Sequence, residues 1–250
     1  LWTLAYEDRT NFLKNWYAGD TAKGWVAYQK DAENQLQQLI IEKTFTGKTK
    51  EYAYALLLEG AIVHSSIENL VSIYDDFIKQ YPVSKYIKFF ADPVATIARQ
   101  QQRPLTEKMI FIKNGETFTT WEDVLKQVKG KTILLDMWGT WCGPCRTEIK
   151  ENGAAIKEHF KTRQLHYLYI ANYDEKKEET WKKLIAFFNM EGYHILANEK
   201  LTKDVMSKIN GAGYPTYAII DKHGNIELSK AGYPMDRQKM ITQLEEALQK

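Results

Sequence analysis

Asp136-Met137-Trp138-Gly139-Thr140-Trp141-Cys142-Gly143-Pro144-Cys145-Arg146 is the stretch on which the reading of this chain turns. It follows Thr132-Ile133-Leu134-Leu135, so residues 132–138 form a short, nearly continuous apolar run, the pattern of a strand buried on both faces. A helix is expected after it, with Cys142 at the junction. Pro144 then falls in the first turn, where a missing N–H costs nothing. Unpaired backbone N–H groups and the positive end of the helix face the Cys142 sulfur. Only a thiolate is a competent nucleophile, and lowering a thiol pKa from about 8.5 to about 7 takes roughly 2 kcal/mol, within reach of a helix terminus. Cys145 lies one turn in, behind Cys142 and shielded. The first sulfur is expected to attack a partner and the second to resolve the mixed disulfide.

Plainer readings of the pair fit less well. Two intervening residues make a static disulfide loop strained and reducible. Zinc needs four ligands, and the five histidines (His64, His159, His166, His194, His223) show no paired spacing; each reads as structural or surface. No metal and no cofactor is expected. The 250 residues contain only these two cysteines, which suits an oxidising compartment and is too few for a stapled secreted fold. Lys+Arg 34 against Asp+Glu 32 is balanced in both halves, so nucleic acid is excluded as a partner. No apolar run approaches the roughly 20 residues of a membrane span. The start at Leu1 reads as a mature or trimmed chain, so that any export signal or membrane anchor lies outside it.

Residues 1–104 read as an all-α domain and 105–250 as an α/β domain. Helices are expected over 8–17, 24–43, 51–63 and from Ile67 to Tyr81, where Pro82 ends the run. Another starts at Ser84 and kinks or restarts at Pro93. Trp16, Trp25, Tyr52, Phe89 and Phe90 read as helix packing rather than a peptide groove. Gln100-Gln101-Gln102-Arg103-Pro104 reads as the linker. Beyond it the sequence predicts a hairpin around Asn114-Gly115 and a helix capped by Thr120 with Asp123. Further strands are expected at 132–138, 165–171 and 193–197, and a hairpin at 215–230. Helices are expected to about Lys161, over 180–189, 202–209 and 236–249. Strands alternating with helices argue for a parallel-cored sheet with antiparallel additions. The run Asp174-Glu175-Lys176-Lys177-Glu178-Glu179 reads as a solvated helix start.

The quoted stretch resembles the active-site segment of thioredoxin, and more closely the TlpA/ResA-like bacterial branch, which shares Gly-Thr-Trp-Cys and a glutamate at Glu148. The likeness extends from about Thr106 to Lys250 and implies a thioredoxin-like fold, with an extra helix and strand at 180–197. It implies that Tyr214-Pro215-Thr216 is the cis-proline loop facing the cysteines. Tyr214 would then pair its backbone with a substrate peptide, although it also reads as packing. Asp136 would take and return the proton of Cys145, and Glu148 would tune the pair. Their competing readings are a satisfied structural carboxylate and a first-turn helix charge. Trp141, Gly143 and Pro144 would contact substrate, with Trp138 packed beneath. The chain departs from the branch at Lys150, where a proline is common, so a straighter helix is expected. The function implied is protein-disulfide reduction outside the cytoplasm, in the periplasm or bacterial envelope. The partners implied are proteins bearing disulfides or thiols and an upstream dithiol donor. An alternative is a redox-switched docking protein whose helical domain binds one partner.

Overall fold

The computed structural model describes residues 33–65, 67 and 69–250. The helix expected over 8–17, Trp16, Trp25 and the first part of 24–43 lie outside them. The chain divides into two compact units, Leu1–Arg99 and Gln100–Lys250.

The described part of the first unit is helical: α1 (Glu33–Thr44), α2 (Gly47–Val63), α3 (Leu70–Gln80) and α4 (Ile87–Gln101). α3 begins at Leu70 rather than Ile67, because Asn69 is in the left-handed region (φ 57°) and interrupts the helix. It buries Leu70, Ile73, Tyr74 and Phe77, the 3.6-residue stripe of its sequence. α4 runs through Pro93 without restarting; Phe90, Val94 and Ile97, buried on both sides of the proline, hold it together where one backbone hydrogen bond is lost. Its last turn takes up Gln100 and Gln101, so the expected linker shrinks. Tyr54 is buried, and its hydroxyl donates to Glu42, which also accepts from Gln80 Nε2 at 2.9 Å. Burial, together with the Glu42 carboxylate, pushes the Tyr54 phenol up to about 12. Of the aromatics expected to pack, Phe90 does, while Tyr52 and Phe89 are exposed.

The second unit is one six-stranded sheet in the order β1-β4-β3-β2-β5-β6. Its strands are β1 (Met109–Phe111), β2 (Thr132–Trp138), β3 (Leu165–Asn172), β4 (Gly192–Ala197), β5 (Thr216–Ile220) and β6 (Ile226–Leu228). The first four are mutually parallel; β5 runs antiparallel to β2, and β6 to β5. The fold is thioredoxin-like, a mixed sheet flanked by helices. The hairpin expected around Asn114-Gly115 does not form. Asn114 is left-handed (φ 59°), but Gly115–Thr117 coils into a 3-10 turn, and β1 pairs in parallel with the distant β4 instead. The capping box at Thr120 and Asp123 forms and starts α5 (Trp121–Val128). The remaining helices of the sheet's two layers are α6 (Gly143–Glu148), α7 (Ala154–His159), α8 (Glu178–Phe187), α9 (Glu199–Lys208) and α10 (Arg237–Gln249).

Period-two alternation along β2 divides the core. Ile133, Leu135 and Met137 face one layer with Trp121, Val124, Leu201 and Val205 of α5 and α9. Leu134 faces the other, with Ile156, Phe160, Tyr217, Met240 and Leu244. Each such fully buried aliphatic side chain contributes about 2 kcal/mol. Asp136 shares the parity of Leu134, so an acid in an apolar strand is turned toward the helical layer that follows the cysteines.

Candidate active site

Cys142 and Cys145 are disulfide-bonded, with Cα atoms 5.3 Å apart. Cys142 is the N-cap of α6: its backbone is extended, and its Sγ accepts a hydrogen bond from Cys145 N at 3.2 Å. Gly143 and Pro144 open the helix. Cys145 is wholly buried and Cys142 is 3% exposed, so what little of the disulfide meets solvent is on the Cys142 side. The helix beyond is not the regular one expected past Lys150. Ile149–Gly153 takes a π turn before α7 begins, without any proline to force it. Such turns are frequent at functional sites.

β2 and the end of α6 bring two acids to a small cavity of about 30 Å³, whose lining includes Asp136, Glu148, Tyr169, Tyr217 and Met235; that volume is enough for a water molecule. Glu148 is buried and accepts from Asn152 Nδ2 at 2.5 Å and Met235 N at 3.2 Å. Asn152 is itself held by Arg237 Nε at 2.8 Å. Asp136 is buried, and its Oδ1 has no hydrogen-bond partner among the described residues. Burial first, and the nearby Glu148 charge second, push its carboxyl up to about 8. Such a group holds a proton at neutral pH and releases it at modest cost.

On the outer side, Trp141 is 46% exposed and Trp138 fully buried. Tyr214 meets the Trp141 ring edge-on, centroids 5.5 Å apart, and the Tyr214–Pro215 bond is cis. The register Met137↔Thr216 brings Pro215 to the same end of the sheet as Trp138 and the cysteine turn. A second cis bond, Tyr233–Pro234, immediately precedes the N–H that Met235 gives to Glu148. Gly139 is required by close approach: a Cβ there would lie 2.8 Å from the indole Cε2 of Trp141. Gly139→Ala is therefore expected to displace that ring and to lower stability by about 1–3 kcal/mol, read from urea unfolding.

Two residues at the end of β3 escaped the sequence reading. Asn172 is fully buried; its Nδ2 donates to Trp138 O, and its carbonyl accepts from Trp141 Nε1 at 3.0 Å. Asp174, expected to be solvated, is instead completely buried: it accepts from Thr140 N at 2.7 Å and Thr140 Oγ1 at 2.6 Å. Burial raises its pKa, partly offset by those two hydrogen bonds. Its place at the head of a mixed-charge run disguised it. His194 is buried on Met190 O at 2.7 Å and stacked on Tyr169, and burial depresses its pKa to about 4; it is a neutral structural residue. Among the described residues no group of three or more His, Cys, Asp or Glu is placed to hold a metal.

Known proteins are similar to part of this chain. A thioredoxin-like protein, YneN, from Bacillus subtilis (strain 168) is 29% identical over 103 residues, covering 41% of this chain and 58% of that protein. The thiol-disulfide oxidoreductase ResA of the same organism is 30% identical over 105 residues, covering 41% and 54%. The chain thus spans little more than half the length of these two curated relatives. A thiol:disulfide interchange protein of the thioredoxin family from Chlorobium tepidum TLS has a crystal structure that overlays with a TM-score of 0.42 at 24% identity, covering 50% of this chain and 84% of that one. The redoxin family model matches residues 122–248, just over half of the chain and the whole of the cysteine turn. The chain belongs to the redoxin family, and the proteins it resembles include a thioredoxin-like protein and the thiol-disulfide oxidoreductase ResA.

Proposed function

We propose that the chain is a reductant of protein disulfides working outside the cytoplasm, with residues 105–250 as the catalytic domain and 1–104 as a separate helical domain. The observation that carries this reading is the Cys142 Sγ at the start of α6, hydrogen-bonded by Cys145 N with only Gly143-Pro144 between the sulfurs. In the reduced chain the Cys142 thiolate attacks a substrate disulfide. One S–S bond breaks, a mixed disulfide forms, and the first substrate sulfur leaves as a thiolate. The ionised form of Asp136, a minority at neutral pH because its pKa is raised to about 8, takes the proton of Cys145, and the Cys145 thiolate attacks the Cys142 sulfur, which releases the second substrate thiolate. Two electrons have then passed to substrate, and an upstream dithiol restores the pair. Glu148 tunes the proton held by Asp136. Trp141, Gly143, Pro144, Tyr214 and Pro215 receive the substrate chain.

The Gly-Pro spacer is thioredoxin's own, and thioredoxin lies near −270 mV, toward the reducing end. Equilibration of the chain with glutathione and dithiothreitol buffers, followed by thiol alkylation, is expected to give a potential in the same region. A value above about −150 mV would reverse the direction of electron flow assigned here.

A further inference from the structure

We infer that Asn172 and Asp174 are positioning residues for Cys142, clamping residues 138–141 so that the sulfur stays seated over the Cys145 N–H. The inference rests on the reading of Cys142 as an activated thiolate and extends it to the opposite strand. Four hydrogen bonds run from a three-residue segment to a four-residue turn. Asn172 holds Trp138 O through its side chain and Trp141 Nε1 through its carbonyl, while Asp174 takes both the N–H and the hydroxyl of Thr140. Both side chains are completely buried. Burying a carboxylate is costly, and both oxygens of this one are committed to Thr140, two residues before Cys142. The turn itself is closed by Cys142 N donating to Gly139 O at 3.0 Å. Thr140 is therefore inside the loop that aims Cys142.

Between the two pinned residues, Tyr173 occupies the left-handed region (φ 56°), uncommon for a bulky side chain. Its ring is 52% exposed and lies 6.1 Å from that of Trp141. The backbone there departs from its preferred conformation while both flanking side chains keep their bonds. Such departures persist where the surroundings over-determine them.

A clamp and a mere nearby charge predict opposite signs. A carboxylate close to sulfur disfavours the thiolate, so if charge were its whole contribution, removing it would lower the thiol pKa. If Asp174 acts by holding the turn, its removal loosens the Sγ from the Cys145 N–H and raises the thiol pKa. The measurement is the pH dependence of iodoacetamide alkylation at Cys142 in the reduced full-length chain, with near-UV circular dichroism to verify packing. Asp174→Ala, Asn172→Ala and Thr140→Val are expected to raise the pKa by about 1, near the value of one charge-assisted hydrogen bond. Thr140→Ser retains both bonds and is expected to titrate with the parent. Should Asp174→Ala fail to fold, Thr140→Val carries the test, since it removes one hydrogen bond at constant volume. An unchanged or lowered pKa in folded Thr140→Val overturns the clamp. A parent thiol titrating at the ordinary value of about 8.5 overturns the activated-thiolate reading itself, before any variant is compared.

Discussion

Cys142→Ser is expected to lose disulfide reduction by a factor on the order of 10³ or more, down to background. Cys145→Ser is expected to stop one step later. Its Cys142 still attacks, but no second sulfur is left to displace the substrate, and a mixed disulfide accumulates. The roles follow from position: Cys142 caps the helix and carries the hydrogen bond from Cys145 N, while Cys145 is wholly enclosed. Incubation with an oxidised protein substrate, followed by a non-reducing gel, distinguishes the two variants. Only Cys145→Ser should give a heavier band that dithiothreitol removes. A trapped band with Cys142→Ser instead would exchange the assignments of the two sulfurs. Cys145→Ser, used as bait in cells, identifies the substrates.

Asp136→Asn is expected to be more stable and less active, each in a defined pH range. The folded-state pKa of Asp136 is raised from 3.8 to about 8, chiefly by burial. Between those values the folded chain holds a proton that the unfolded chain has released, so Asp136 favours folding below about pH 4, and that contribution disappears as the pH rises through about 8. The asparagine has no charge to bury. The variant should match its parent near pH 4 and exceed it at pH 9 by a few kcal/mol, about 10 °C in apparent Tm. Its rate of substrate release at pH 7 should fall by about 10²-fold, the usual value of a positioned proton acceptor. Glu148→Gln should recover only part of the stability difference, since Glu148 is the smaller of the two causes. Equal Tm profiles for parent and Asp136→Asn across pH 4–9 would remove Asp136 from the mechanism proposed above.

The elements readable from sequence are those whose signals are local. The apolar run 132–138, the Thr120–Asp123 capping box and the β5–β6 hairpin around residues 223–225 each carry their own pattern, and all three form. Local signals failed where a distant segment decided the outcome. Asn114-Gly115 is a good hairpin turn by composition, yet the strand that pairs with 109–111 is 192–194. Asp174 looks solvated among five charged neighbours until β3 delivers it beneath Thr140. The Met235 N–H and the Arg237–Asn152 link that complete the surroundings of Glu148 come from more than 80 residues away. The two sulfurs were legible because a helix terminus and its cap are neighbours in sequence. Asn172, Asp174, Met235 and Arg237 were hidden because they meet the segment around the sulfurs only in space.

The alternation of β2 makes the length of that strand a chemical quantity. A single residue inserted or deleted between Thr132 and Asp136 would rotate everything beyond it by half a repeat. The carboxyl would then point among Trp121, Leu201 and Val205, and an apolar side chain would occupy the place beside Glu148. Chains descended from this one can exchange Ile for Val or Leu along the strand with little effect on the proton. They cannot change its count.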